Sequence, residues 1–249
     1  MEPYIFALLV FTAFAAGFVD SIAGGGGLIS VPALMIAGVP PVQAIATNKV
    51  QASAASLSAM VAFSRRGFIQ WRKDGIALFI VALLGGGAGA LLIRFLNQDF
   101  LQAFIPILLI AVALYFWFGP KPKLDNQKGR MSVAFFTGTV APLLAMYDGF
   151  FGPGTGSFFM AGLIGLCGLG LLPAMGLTKV GNGASNLGSL MIFALSGSIL
   201  WGLGLAMAVA AFLGAQLGVR AAVKVGAKLV RPLIVFMCVA LAIKLLMAA

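Results

Sequence analysis

Apolar runs about as long as a bilayer is thick recur along almost the whole chain. They fall near 4–22, 26–38, 42–63, 75–95, 101–118, 131–147, 155–172, 175–196, 199–219 and 230–248. A helix needs about 20 mostly apolar residues to cross a hydrocarbon core, and backbone exposed to lipid must bond within its own segment. The runs are too long and uniform for barrel strands. They predict an all-α integral membrane protein of about ten hydrophobic segments, 8–10 of them transmembrane and some short or broken. With 249 residues, 61% hydrophobic and 9% charged, little sequence is left for a soluble module. One membrane domain over 1–249 is expected.

The charges sort by loop. Arg65, Arg66, Arg72 and Lys73 lie in 64–74, Lys121, Lys123, Lys128 and Arg130 in 119–130, and Arg220, Lys224, Lys228 and Arg231 in 220–231. Short basic loops stay in the cytoplasm, so the net charge of +10 reads as membrane orientation and not as a nucleic-acid surface. Met1-Glu2-Pro3-Tyr4 lacks the basic region of a secretory signal, so the first run is expected to be a retained helix. Without histidine there is no His-based metal site or proton relay. Cys167 and Cys238, isolated in apolar runs, read as small hydrophobes. No cofactor is expected.

The chain repeats itself. A shift of 130 sets Lys49-Val50 on Lys179-Val180, Gly67 on Gly197 and Trp71 on Trp201, with eight identities in 23 ungapped positions. A shift of 128 sets Asp20 on Asp148, Gly24 on Gly152 and Gly26 on Gly154. Gly85-x3-Gly89 resembles Gly214-x3-Gly218, and Pro106 resembles Pro232. The expected halves are about 4–118 and 131–248, joined by a linker at 119–130. Loop 64–74 is basic while its counterpart 197–200 has no Lys or Arg, which places the two on opposite sides and predicts inverted five-segment repeats. A parallel four-plus-four arrangement is the competing topology. The short run 26–38, between Gly24–Gly27 and Pro40-Pro41, predicts a broken or re-entrant helix.

Four charged residues lie well away from both the basic loops and the helix ends: Asp20, Lys49, Asp148 and Lys179. A charge near the bilayer centre costs roughly 2.5–3.5 kcal/mol on insertion scales, so each needs a partner or a wet cavity. The inverted topology predicts cross-repeat pairs, Asp20 with Lys179 and Asp148 with Lys49. Two readings stay open. The pairs could simply hold the halves together, or the lysines could attract an anion while Asp20 and Asp148 gate or couple it. Gly25, Gly26, Gly154, Thr155 and Gly156 lie in turns before helix starts, where N–H groups and the helix dipole favour an anion. Their spacing is not that of a nucleotide-binding P-loop. Asn48 and Gln51 share one helix face; Asn182, Ser185 and Asn186 share another. With Thr178 these complete a candidate substrate site. Helix packing and interhelical hydrogen bonding account for the same residues almost as well. Trp71 and Trp201 read as interface anchors.

The stretch from Gly24 to Pro32, followed by Ala44-x-Ala46-Thr47-Asn48-Lys49-x-Gln51, resembles the TauE/SafE family of sulfite and organosulfonate exporters. So does Gly152-Pro153-Gly154-Thr155-Gly156 followed by Thr178-Lys179-Val180-x-Asn182-x-x-Ser185-Asn186. The resemblance spans essentially the whole chain. It implies a multi-pass transporter of the bacterial inner membrane that moves a sulfur-containing anion such as sulfite or sulfoacetate. A coupling proton or cation and a homo-oligomeric assembly are compatible with it. An anion channel and a membrane-embedded enzyme are the alternatives. The enzyme is disfavoured by the lack of histidine and of an evident nucleophile–base pair.

Overall fold

In the computed structural model, residues 1–93 and 129–225 are described, with 95, 96, 100, 104, 107, 108 and 111 between them. The segments expected at 101–118 and 230–248, most of the linker, Cys238 and the Pro106–Pro232 match lie largely or wholly outside the described residues. Eight α-helices and no strand occur among the described residues. They are α1 (Pro3–Ala23), α2 (Gly27–Ile36), α3 (Pro41–Arg65), α4 (Ile76–Ile93), α5 (Val133–Phe150), α6 (Thr155–Gly165), α7 (Leu171–Ser196) and α8 (Trp201–Val225). A π-helical turn, Trp71–Gly75, leads into α4.

Local chemistry sets the boundaries. Pro3 and Pro41 start α1 and α3, where a missing N–H costs nothing. The Ser132 side chain caps α5 by accepting from Phe135 N at 3.1 Å. Gly24, at φ 77°, ends α1 in the left-handed conformation that suits glycine. The run at 155–172 is shorter than its hydropathy suggests: α6 stops at Gly165, and the remaining apolar residues form a turn through Gly168 to Gly170. The described parts of both halves therefore show one order: a long helix, a short one, then two long ones.

Among the described residues, four spans are long and apolar enough to cross a membrane: α1, the π turn with α4, α5, and α8. Helices α3 and α7 are as long, at 25 and 26 residues, but carry the polar strings and are largely buried. Around them the outer surface is oily. Leu8, Phe11, Leu84, Leu143, Leu195 and Val209 are between 61% and 80% exposed, as expected where lipid is the solvent.

The helices exchange partners. Helix α1 packs mainly on α8, and α5 on α4. Helices α3 and α7 lie against each other, with α8 and α4 on their respective outer sides. Small residues permit these contacts. Gly214 and Gly218 of α8 sit against the backbone of Phe14 and Phe18, and Gly85 and Gly89 of α4 against Pro142, Ala145 and Met146. Both glycine pairs serve packing. Cys167 is half-buried in the turn after α6, less enclosed than its sequence context suggests. Trp71 Nε1 donates to Ser64 Oγ at 2.7 Å, and Trp201 is 46% exposed.

Candidate functional site

Asp148 sits in the last turn of α5, and Lys49 on the third turn of α3, facing it. The Lys49 ammonium lies 2.9 Å from Asp148 Oδ1 and donates to Asp148 O and, at 3.1 Å, to Asn186 Oδ1. An ammonium has three donors, so Lys49 is saturated. Ser185 Oγ donates to Asp148 Oδ2. The other pair repeats the plan. Asp20 lies in the last turn of α1, Lys179 comes from α7, and Lys179 Nζ lies 2.7 Å from Asp20 Oδ2 while also donating to Asp20 O. All four residues are at least 92% buried: Asp20 is 8% exposed, Asp148 and Lys179 1%, and Lys49 0%. Each pair thus joins the two halves, in the combination that the repeat implies.

Side chains from α3 and α7 connect the pairs. Lys49 donates to Asn186 Oδ1, Asn186 Nδ2 to Asn182 Oδ1 at 2.9 Å, Asn182 Nδ2 to Ser56 Oγ at 3.3 Å, and Ser56 Oγ to Asp20 Oδ2 at 3.4 Å. Every donor in this chain points away from Lys49 and toward Asp20. Ser56 has no place among the residues expected from sequence, although it lies seven positions after Lys49, on the same helix face. Ser185 shares the face expected for Asn182 and Asn186, and here it holds the Asp148 carboxylate.

The glycine clusters meet. Gly24 packs on Gly156, with Ser157 N donating to Gly24 O at 3.1 Å and Ser157 Oγ to Ala23 O at 2.6 Å. A Cβ on Gly27 would lie 3.2 Å from Pro153 Cα, so the N-terminal ends of α2 and α6 converge. Gly26 N donates to Asp20 Oδ1 at 3.3 Å. Gly152, at φ 101°, abuts the Lys49 ammonium: a Cβ there would lie 2.8 Å from Nζ. Gly25, Gly154, Thr155 and Gly156 are buried in these turns, with Thr155 Oγ1 donating to Gly152 O at 2.7 Å.

Asn48 and Gln51 form a separate group. Asn48 Oδ1 accepts from Ser30 Oγ at 2.6 Å and from Gln51 Nε2 at 2.7 Å. Gln51 Oε1 is buried with no partner, as are Ser53 Oγ and Thr178 Oγ1. Asn48, Gln51, Gly26, Gly27 and Asp20 border a cavity of about 20 Å³. Thr178, next to Lys179 in α7, makes no side-chain hydrogen bond to either pair, while the other expected side chains gather at one pair, at the chain between them, or at this cavity. Among the described residues no group of three or more His, Cys, Asp or Glu could hold a metal ion.

The comparisons place this architecture. The family described as "Sulfite exporter TauE/SafE" matches residues 9–245. The "Probable membrane transporter protein ORF9" of Sinorhizobium sp is 46% identical over 249 residues, covering 99% of this chain and 95% of that protein. The "Probable membrane transporter protein YfcA" of Escherichia coli K12 is 42% identical over 248 residues, covering 99% and 91%. A "Probable membrane transporter protein" of Haemophilus influenzae is 42% identical over 233 residues, covering 94% and 91%. No solved structure matches. The chain belongs to the sulfite exporter TauE/SafE family of membrane transporters, and is a multi-pass protein of the bacterial inner membrane.

Proposed function

We propose that this protein is a secondary transporter that carries a small sulfur-containing anion, sulfite or an organosulfonate such as sulfoacetate, by alternating access between two inverted five-segment halves. The halves are about 4–118 and 131–248, linked by 119–130. The family's description as sulfite exporters supports the class of cargo. The recurring helix order and the exchange of partners between α1–α8 and α5–α4 support the two-fold plan.

The observation that carries the site assignment is the pair of cross-half Asp–Lys bridges beside converging helix N-termini. Positive helix ends near the midplane suit an anionic group. Lys49 and Lys179 supply charge. Gly25, Gly26, Gly154, Thr155 and Gly156 supply backbone approach, and Asn48, Gln51, Thr178, Asn182 and Asn186 supply amide and hydroxyl groups. Asp20 and Asp148 neutralise the lysines until the anion arrives. Because the lysines are 0% and 1% exposed, loading requires the halves to move.

A thermal-stabilisation panel on purified protein tests this reading. Sulfite or a sulfonate should raise the Tm in a saturable way, whereas carboxylates should do so less. The shift should shrink in Lys49→Ala and Lys179→Ala. If both variants respond as the wild type does, the site is wrongly placed.

A further inference from the structure

The two ion pairs obey one plan but are not equivalent, and the difference is chemical. Lys49 has three acceptors, whereas Lys179 has two, the carboxylate and carbonyl of Asp20. The Asp148 side chain is 2% exposed, and that of Asp20 is 11%. Asp148 also accepts from Ser185 Oγ; the further donors to Asp20 are Gly26 N and Ser56 Oγ, at 3.3 and 3.4 Å. Asp20 also borders the cavity of about 20 Å³. Asp148 borders neither that cavity nor its larger neighbour at Arg65, Arg66 and Arg220.

That cavity has room for one water. A site needs roughly 10–15 Å³ and two to four polar partners to hold one. Gln51 Oε1 is 3% exposed as part of its residue, lacks any donor, and belongs to a lining residue. Its amide cannot simply turn over, because Nε2 is committed to Asn48 Oδ1. Asn48 has both its acceptances on Oδ1, which leaves Nδ2 toward Gly27 and the cavity. Asn48 Nδ2, Gln51 Oε1 and Asp20 together supply the two to four polar partners that a bound water needs. The second half has no equivalent: the positions matching Asn48 and Gln51 are Thr178 and Gly181.

We propose that Asp20, and not Asp148, takes up the coupling proton, delivered through this Asn48–Gln51 water, and that proton and anion bind together. The water receives a proton from the solvent side as it passes one to Asp20 Oδ1. Neutral Asp20 leaves Lys179 as an unpaired ammonium beside the converging turns. A buried lone cation is costly, so an anion binds there and offsets its charge, proton and anion moving in the same direction. Among the described residues the Asp148 carboxylate, itself paired with Lys49, lies close enough for its charge to act on Asp20. Of the helices packed on α1, α2 and α6 carry no ionisable side chain. Helix α3 offers Lys49, engaged by Asp148, and Arg65 at its end; α7 offers Lys179 itself; α8 offers Arg220 and Lys224 near its C-terminus. The anion half of this proposal rests on the function given above; the proton half stands without it.

Infrared difference spectroscopy between acid and neutral pH, on full-length protein in lipid without any anion, reads the protonated carboxyl directly. A carboxylic C=O band should appear on acidification, be lost in Asp20→Asn, and persist in Asp148→Asn. Ser56→Ala should shift the band and Ser185→Ala should not, which keeps the assignment testable if a charge-removing variant does not fold. Gln51→Leu should slow exchange of the band in D2O. A band that survives Asp20→Asn at full amplitude, or that moves with Ser185→Ala and not with Ser56→Ala, overturns the proposal. Failure here leaves the anion-binding reading intact, whereas failure of the stabilisation panel leaves this band where it is.

Discussion

Asp148→Leu is expected to lower stability by about 3–5 kcal/mol, the usual result of stripping one partner from a buried ion pair. The Lys49 ammonium is fully enclosed, so it cannot turn to solvent when the carboxylate is lost. It would keep the Asn186 amide oxygen and a backbone carbonyl, neither of which offsets its charge. The double variant Lys49→Met with Asp148→Leu removes both charges and should regain most of the loss, since apolar replacement of a buried pair is often close to neutral. It should not regain transport. Thermal unfolding in detergent measures the first effect, and reconstituted flux the second. Equal destabilisation by the single and double variants would show that the pair's charges are not what matters there.

Gly24→Val is expected to be as damaging, for a different reason. The backbone at Gly24 has φ 77°, a conformation that costs an ordinary residue roughly 1–2 kcal/mol. A Cβ there would also press into the backbone of Gly156 and Ser157, where α6 begins. Forced overpacking adds typically 1–3 kcal/mol. The contact lies where the two halves touch, so the variant should lose both expression in the membrane and any anion-dependent rise in Tm. Gly138→Ala, which meets nothing within 4 Å, is the matched control and should behave as wild type in both measurements.

The charged pairs were legible in the sequence because each is costly in lipid and because the repeat relates them. The inverted arrangement expected from the loop charges puts Asp20 and Lys179 toward one side and Asp148 and Lys49 toward the other, and so led to the cross-half pairing. The glycine turns were legible as glycine clusters close after Asp20 and Asp148 and ahead of apolar runs. Hydropathy could not see where α6 stops, because Leu166, Leu169 and Leu171 continue the apolar run through a turn. Nor could it see the π-helical turn at Trp71–Gly75, where Arg72, Lys73 and Asp74 read as loop. Ser56 was missed because a serine in a helix can bond to its own backbone, and sequence does not tell which serine reaches across. The unequal standing of the two pairs is a tertiary fact. It turns on Gln51 facing a cavity where the repeat has Gly181, a difference visible in the alignment of halves only once the cavity is known.

Counterflow in proteoliposomes is the most direct test of an anion site shared between two moving halves. Vesicles loaded with unlabelled sulfite or sulfoacetate should take up the labelled anion faster than unloaded vesicles, with a rate that saturates and that is lost in Lys179→Ala. Uptake that rises in proportion to concentration and gains nothing from the internal anion would contradict alternating access and point to a pore.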